Sequence, residues 1–263
     1  MEKDNSNLPV VLLPGIQGQW EWMRPAVDAL RQSREVGTFS LNAEGGQGDP
    51  FAKWVELIDK AIDDMGATQA AIVGVSFGGL VAMHYAATRP ERTAALVLVS
   101  APSPRMRLAP AEAMLVNRPL MLLPMFPLFA ARALQRLLPE VITAIDSWPQ
   151  RLRFLATYGW QVTRHPMRPN QSARWVREWQ GRDLAAECAQ VQAPTRLITG
   201  DGALDRVVRT TSTQDYLSLI PGSTAATLDR TGHIGLVTRP TAFAALVEEF
   251  LNGVDSSRSR RSA

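Results

Sequence analysis

Short apolar runs and amphipathic stretches alternate along both ends of this chain. Pro9–Leu13 (PVVLL), Val36–Leu41, Ala70–Val75 (AAIVGV), Ala94–Ser100 (AALVLVS), Thr195–Thr199 (TRLIT) and Ala225–Leu228 are near-continuous apolar runs bounded by Gly, Pro or Asp. Runs of this kind predict strands covered on both faces rather than strands with one wet side. Between them, Phe51, Trp54, Val55, Ile58, Ile62 and Met65 keep to one helical face, with Asp49-Pro50 as a start signal. A second helix, Leu80–Ala87, continues directly from the third strand. A last one, Pro240–Leu251, is opened by Thr238-Arg239-Pro240 and closed by Asn252-Gly253. The alternation predicts an α/β fold, a mostly parallel sheet with helices on both faces.

Residues 102–190 break this rhythm. They hold no convincing strand, frequent prolines, and Trp148, Trp160, Trp175 and Trp179. The stretch is too long for a loop, so a folded helical insertion is expected. The chain then divides into a core of residues 8–101 and 191–252, an inserted helical unit of residues 102–190, and a tail of residues 253–263. Asp255–Ala263 (DSSRSRRSA) lacks apolar residues, and the tail is expected to be disordered.

Composition narrows the class. With 46% hydrophobic and 20% charged residues, the 263-residue chain is not a disordered polymer. Its net charge of +3 hides a division. The insertion carries twelve Lys and Arg against six Asp and Glu, residues 256–263 add three Arg, and the rest holds 13 basic against 19 acidic groups. A basic insertion sits in an acidic body. The single cysteine, Cys188, excludes a disulfide framework within the chain and suits a reducing compartment. The start of the chain is polar and mixed in charge, and the uncharged stretch Pro119–Ala131 is short and broken by prolines. Neither reads as a leader or a membrane span, so a soluble cytoplasmic protein is expected. No His/Cys/Asp cluster has ligand spacing, and no glycine run carries a P-loop lysine or forms G-x-G-x-x-G between strand and helix. No metal and no cofactor are expected. Nucleic-acid binding has only the Arg/Ser tail and the basic insertion behind it, and solvated surface explains both.

Chemistry concentrates in three places. Gly74-Val75-Ser76-Phe77-Gly78-Gly79 follows a predicted strand and leads into a helix, the context that a G-x-S-x-G turn requires. Such a turn is tight enough to demand small residues two before and two after the serine, and it lifts the hydroxyl clear of the backbone. A serine needs a base, and the base an orienting acid. Of three histidines, His84 lies too far along the same helix to reach back and reads as a helix-face or core residue. His165 has no supporting motif. His233, in the loop Asp229–Gly235 between the last strand and the last helix, is the base by elimination and position. The acid belongs on the loop after Thr195–Thr199, where Asp201 and Asp205 compete. Asp205 is preferred, because the loop Gly200–Leu204 carries it towards His233, whereas Asp201 stands at the strand end and is suited to closing the turn.

The order Ser76, Asp205, His233, the elbow, and a helical insertion after Ala94–Ser100 resemble the α/β-hydrolase superfamily from about Val10 to Leu251. Arg89-Pro90-Glu91-Arg92 with Leu96–Ser100 is similar to the segment after the nucleophile helix in esterase, lipase and proline-iminopeptidase-like members. The resemblance implies that residues 102–190 form a cap over the active site. It also implies an oxyanion hole from the backbone N–H groups of Phe77 and Ile16. Pro14-Gly15 stands where the family usually has His-Gly, and Gln17 is a candidate side-chain donor. Asn42 replaces the aspartate of the family's Asp-x-x-Gly-x-Gly turn, and the antiparallel strands usual at the sheet edge are expected to be missing or very short.

The resulting expectation is a serine hydrolase acting on carboxylic esters or thioesters through an acyl-enzyme. The same triad serves C–C bond hydrolysis or peptidase-type acyl transfer, and a pocket retained without turnover would make a ligand-binding or receptor protein. Apolar residues of the insertion point to a small-molecule substrate with an apolar part. Met121, Met125, Phe126, Phe129 and Ile234 are candidate pocket residues beside Gln17. Arg105, Arg107, Arg151, Arg153, Arg174 and Arg177 offer sites for a carboxylate, a phosphate or an acidic carrier protein, although solvated helix faces account for most of them.

Overall fold

The computed structural model describes residues 7–117 and 126–262. Six strands form one parallel sheet: β1 (Val10–Leu13), β2 (Val36–Thr38), β3 (Ala70–Val75), β4 (Thr93–Val99), β5 (Thr195–Thr199) and β6 (Thr224–Thr227), in the order β2-β1-β3-β4-β5-β6. Among the described residues the sheet has no antiparallel strand. β1, β3 and β4 are buried along their whole length, as their unbroken apolar sequences require.

The pleat divides these strands between two cores. Val11, Leu13, Ile72, Leu96, Leu98 and Leu197 face one cluster, shared with α2 (Pro50–Asp64) and α3 (Phe77–Thr88). Val10, Leu12, Val73, Val75, Val97 and Ile198 face the other, closed by α1 (Arg24–Leu30) and α11 (Pro240–Ser262). Asp49 starts α2 by accepting from the Phe51 amide at 3.0 Å, with Pro50 in the first turn.

Two expectations require correction. Ala225–Leu228 was expected to be buried on both faces, but β6 is the sheet edge and is largely exposed, while Leu228 just beyond it is buried. Ala225, Ala226 and Leu228 made the run resemble a covered strand, although β6 pairs along one side only. Residues 253–262 are not a disordered tail but the end of α11, which runs through Asn252-Gly253 without stopping. Val254 enters the core, and Asp255 meets the Arg34 guanidinium at 2.8 Å. The side chain of Arg34 is fully buried and also bonds Glu248, Asn252 and the Leu8 carbonyl, so it clamps the end of the helix to the body.

Between β4 and β5 the described chain is helical: α4 (Pro110–Asn117), α5 (Phe126–Ala144), α6 (Trp148–Arg164), α7 (Pro169–Gln180) and α8 (Leu184–Glu187). Prolines at the starts of α6 and α7 and Asp183 at the start of α8 set these boundaries. Charge pairs tie this insertion to the body in both directions. Arg174 meets Glu44 and Arg182 meets Asp49, while Asp146 of the insertion meets Arg230 of the body. Basic insertion and acidic body are therefore joined by local pairs of either sign, not by one uniform attraction.

The remaining core helices are α9 (Thr210–Leu219) and the short α10 (Gly235–Thr238). Strand order reverses between β1 and β3, and the loops after both open at the carboxyl end of the sheet. That is where open parallel sheets form their crevices.

Candidate active site

The turn from β3 to α3 is built by sterics. Ser76 has φ 52° and ψ −123°, a strained conformation for a residue with a side chain, costing about 1–3 kcal/mol. A Cβ on Gly74 would lie 2.3 Å from the Gly78 carbonyl oxygen, and one on Gly78 would lie 2.4 Å from that of Pro14. Glycine at both positions is a packing requirement of the elbow. Ser76 stands half-buried at the head of α3, where the first-turn amides have no acceptor inside the helix.

His233 approaches from the loop after β6. Its Nε2 lies 3.1 Å from Ser76 Oγ, and its Nδ1 lies 3.3 Å from Asp205 Oδ2. A carboxylate only accepts, so the ring proton belongs on Nδ1, which leaves Nε2 to accept from the serine hydroxyl. Asp205 is buried, and its other oxygen accepts from the amides of Val207 at 3.0 Å and Val208 at 2.9 Å. Burial pushes its carboxyl pKa up, but the His233 hydrogen bond and charge with the two amides outweigh this and hold it below the ordinary range. Asp201, the competing aspartate, is exposed and closes its own turn by accepting from the Ala203 amide at 2.8 Å.

A second buried acid lies under the histidine loop. Glu140, fully buried on α5, accepts from the Ile234 amide at 3.0 Å and from the Thr238 hydroxyl at 3.2 Å. A Cβ on Gly232 would sit 2.8 Å from its Oε2, so the loop backbone comes down directly onto the carboxylate. Burial raises the Glu140 pKa, opposed by the amides of Ile234 and Gly232, the His233 charge and Thr238. Nothing in the sequence around Glu140 marked it; its one signal is that it is the single acid on a helix whose other charges are arginines.

Phe77, directly after the serine, is held by the insertion. Its ring stacks on Trp175 at 6.2 Å and meets Trp179 edge-on at 6.3 Å, with Trp54 closing the cluster. Trp175 donates to Glu44 at 3.3 Å, and the same carboxylate oxygen accepts from Gln171 and Arg174. Burial pushes the Glu44 pKa up, yet these three donors hold it below the ordinary range. Ser172 Oγ donates to the Ile16 carbonyl at 3.0 Å, so α7 also grips the loop after β1.

That loop lies against the serine. A Cβ on Gly15 would be 3.3 Å from Ser76 Cβ and 2.7 Å from Gln17 Oε1, so the half-buried Gln17 side chain folds back over Gly15. Ile234 is buried in the core cluster with Val75 and Val141. Met121 and Met125 lie outside the described residues. Phe126 and Phe129 fall on α5, with side chains outside the description.

His84 and His165 stand apart from this site. His84 is buried with Nδ1 2.6 Å from Glu187, and His165 lies 3.6 Å from Glu21. Burial beside Glu187 pushes the Cys188 thiol up to about 12, which keeps it protonated and unreactive at neutral pH. Of the insertion's arginines, Arg151, Arg174 and Arg177 bond the protein's own carbonyls or Glu44, while Arg105 and Arg153 are exposed. No group of three His, Cys, Asp or Glu side chains among the described residues is arranged to hold a metal, and no described helix is long and apolar enough to cross a membrane.

Comparison with known proteins places this geometry in context. The chain is 26% identical to a poly(3-hydroxyalkanoate) depolymerase of Ectopseudomonas oleovorans, over 92% of this chain and 84% of that protein. It is 28% identical to 2-hydroxymuconate semialdehyde hydrolase of Pseudomonas putida, over 79% of this chain and 71% of that protein. Among solved structures, MenH from S. aureus superposes with a TM-score of 0.74 at 19% identity, covering 96% of both chains. The enol-lactonase from Burkholderia xenovorans LB400 superposes with a TM-score of 0.70 at 18% identity, covering 95% of this chain and 94% of that one. The family described as alpha/beta hydrolase fold matches residues 9–240, most of the chain, and together with the sheet order this establishes that the protein belongs to the alpha/beta hydrolase fold family, a family of hydrolases.

Proposed function

We propose that the protein is a serine hydrolase of carboxylic esters, thioesters included, that works through an acyl-enzyme on Ser76. The observation that carries this reading is the unbroken line of contacts from Asp205 through His233 to Ser76, at 3.3 Å and 3.1 Å. The Ser76 hydroxyl attacks the carbonyl carbon as its proton passes to His233 Nε2. Asp205 keeps Nδ1 protonated and stabilises the imidazolium, and the proton then leaves with the alcohol or thiol. Water, deprotonated by the same nitrogen, releases the acid. The backbone N–H groups of Phe77 and Ile16 are assigned to the negative oxygen of the tetrahedral intermediate, each contributing about 3–4 kcal/mol.

In this reading residues 102–190 are the cap. Its support is the contact of Trp175 and Trp179 with Phe77, and of Ser172 with Ile16, which ties both assigned donors to the insertion. The substrate is a small molecule with an apolar part.

Likeness to 2-hydroxymuconate semialdehyde hydrolase favours one second reading, in which the same triad cleaves a C–C bond. Rates on nitrophenyl esters of increasing acyl length, run beside 2-hydroxymuconate semialdehyde, decide between them. Ester turnover that rises with acyl length supports the proposal. Cleavage of the semialdehyde with no turnover of any ester would replace it by the second reading.

A further inference from the structure

We propose that Glu140, carried by the inserted helix α5, is a positioning residue for His233: it fixes the height of the base loop, so that the base is competent only while α5 is seated on the body. This inference rests on the hydrolase reading above. Glu140 lies 93 residues before the histidine in the chain, yet its carboxylate reaches both flanks of the base. Oε2 accepts from the Ile234 amide on one side and lies against Gly232 on the other, and Oε1 accepts from Thr238 in α10. Every one of these partners donates. A fully buried carboxylate with only donors around it is anchored, because no rotation offers an equivalent set.

The same helix takes hold of the loop a second time. Arg230, at φ 64°, donates to the Thr143 carbonyl at 2.7 Å and pairs with Asp146 just past the end of α5. On its other side the loop is pinned to the acid loop, since the Asp201 amide donates to the Thr231 carbonyl at 2.8 Å. Base, acid and inserted helix therefore form one assembly. The imidazole sits on residues 232–234, whose backbone rests on the insertion's carboxylate. Glu140 touches neither Ser76 nor the site of the reacting carbonyl. It acts through the placement of Nε2 relative to Ser76 Oγ, a distance to which proton transfer is steeply sensitive.

Reach and charge are separable by substitution. Glu140→Gln keeps the length of the side chain and one acceptor oxygen for the Ile234 amide, while its NH2 donates to Thr238 Oγ, which then donates to the Ile234 carbonyl it already faces at 3.4 Å. Glu140→Asp keeps the charge but draws the oxygens back by one methylene. Glu140→Ala removes both. The experiment measures kcat and KM on a nitrophenyl ester, the rate of fluorophosphonate labelling and the melting temperature for wild type, the three variants, His233→Ala, and His233→Ala with Glu140→Asp.

Positioning predicts a fall of about 100-fold in kcat and in labelling rate for Glu140→Asp at little change in KM. Glu140→Gln should stay within about threefold of wild type, and Glu140→Asp should cost nothing further once His233 is gone. Should Glu140→Ala fail to fold, the Gln and Asp variants still decide the matter. Wild-type kcat in a folded Glu140→Asp, loss of activity in Gln with retention in Asp, or an undiminished Asp effect without His233 would each overturn the proposal. Failure of the hydrolase reading has a different signature: wild type itself neither labels nor turns over an ester.

Discussion

Replacement of Asp205 by asparagine tests the acid assignment with the least disturbance to the fold. The side chain is buried, and one of its oxygens already serves the amides of Val207 and Val208 at 3.0 and 2.9 Å. An asparagine keeps that oxygen in place, because two N–H donors will not tolerate its NH2 group. The NH2 group must then face His233 Nδ1, now 3.3 Å from the second carboxylate oxygen. Two donors cannot share that contact, so the imidazole takes the opposite tautomer and turns an N–H towards Ser76. Base catalysis is lost while the remaining contacts survive. In a serine protease the same change of tautomer costs about 10⁴ in kcat, which corresponds to about 5.5 kcal/mol of transition-state stabilisation. We expect a loss of that order here, read as kcat on a nitrophenyl ester with KM nearly unchanged. Asp201→Asn should leave kcat within about twofold, since Asp201 is exposed and only closes a turn, an interaction contributing about 0.5–1.5 kcal/mol to stability. An active Asp205→Asn beside an inactive Asp201→Asn would exclude Asp205 as the acid. There is also a stability consequence. The folded pKa of Asp205 lies below the ordinary 3.8, so its stabilising contribution is present above that pH and is lost as pH falls through the depressed value. Asp205→Asn should therefore lower the melting temperature at neutral pH, with the deficit closing in strong acid.

Glu140 carries the opposite sign. Its folded pKa lies above 4.5, so its ionised form costs stability as pH rises through that range, and the melting temperature of Glu140→Gln relative to wild type should climb from pH 4 to pH 8; a flat difference would show that the carboxyl is not penalised by burial. Deletion of residues 254–263 removes Val254 from the core and Asp255 from the buried Arg34, and should cost about 2–4 kcal/mol in denaturant unfolding, whereas a disordered tail would be lost at no cost. Glu44→Ala leaves the indole N–H of Trp175 without its acceptor and should destabilise by about 1–3 kcal/mol; circular dichroism melting checks it, and the Phe77–Trp175 stack should loosen with a rise in KM.

Much of this fold was legible because its signals are local. β3 and β5 begin and end where their apolar runs do, and the elbow is a glycine problem that any sequence must solve in the same way. The pairing of Asp205 with His233 was accessible by chain order and loop length. The rest depends on contacts between segments distant in the chain. Glu140 reads as one acid among helical residues until α5 is laid against the base loop. Trp175 and Trp179 carry no mark in the sequence that sets them apart from Trp148 and Trp160, yet in the fold they meet Phe77. Composition misled at residues 253–262, where one valine and one aspartate, fixed by Arg34, hold a segment that is otherwise serine and arginine.

The most direct test of the central claim is intact-protein and peptide mass spectrometry after exposure to a fluorophosphonate. We expect a single adduct on Ser76, absent from Ser76→Ala and formed far more slowly in His233→Ala, in a wild-type protein that hydrolyses nitrophenyl esters. A wild-type protein that forms no adduct and hydrolyses no ester, or an adduct that persists unchanged in Ser76→Ala, would contradict it.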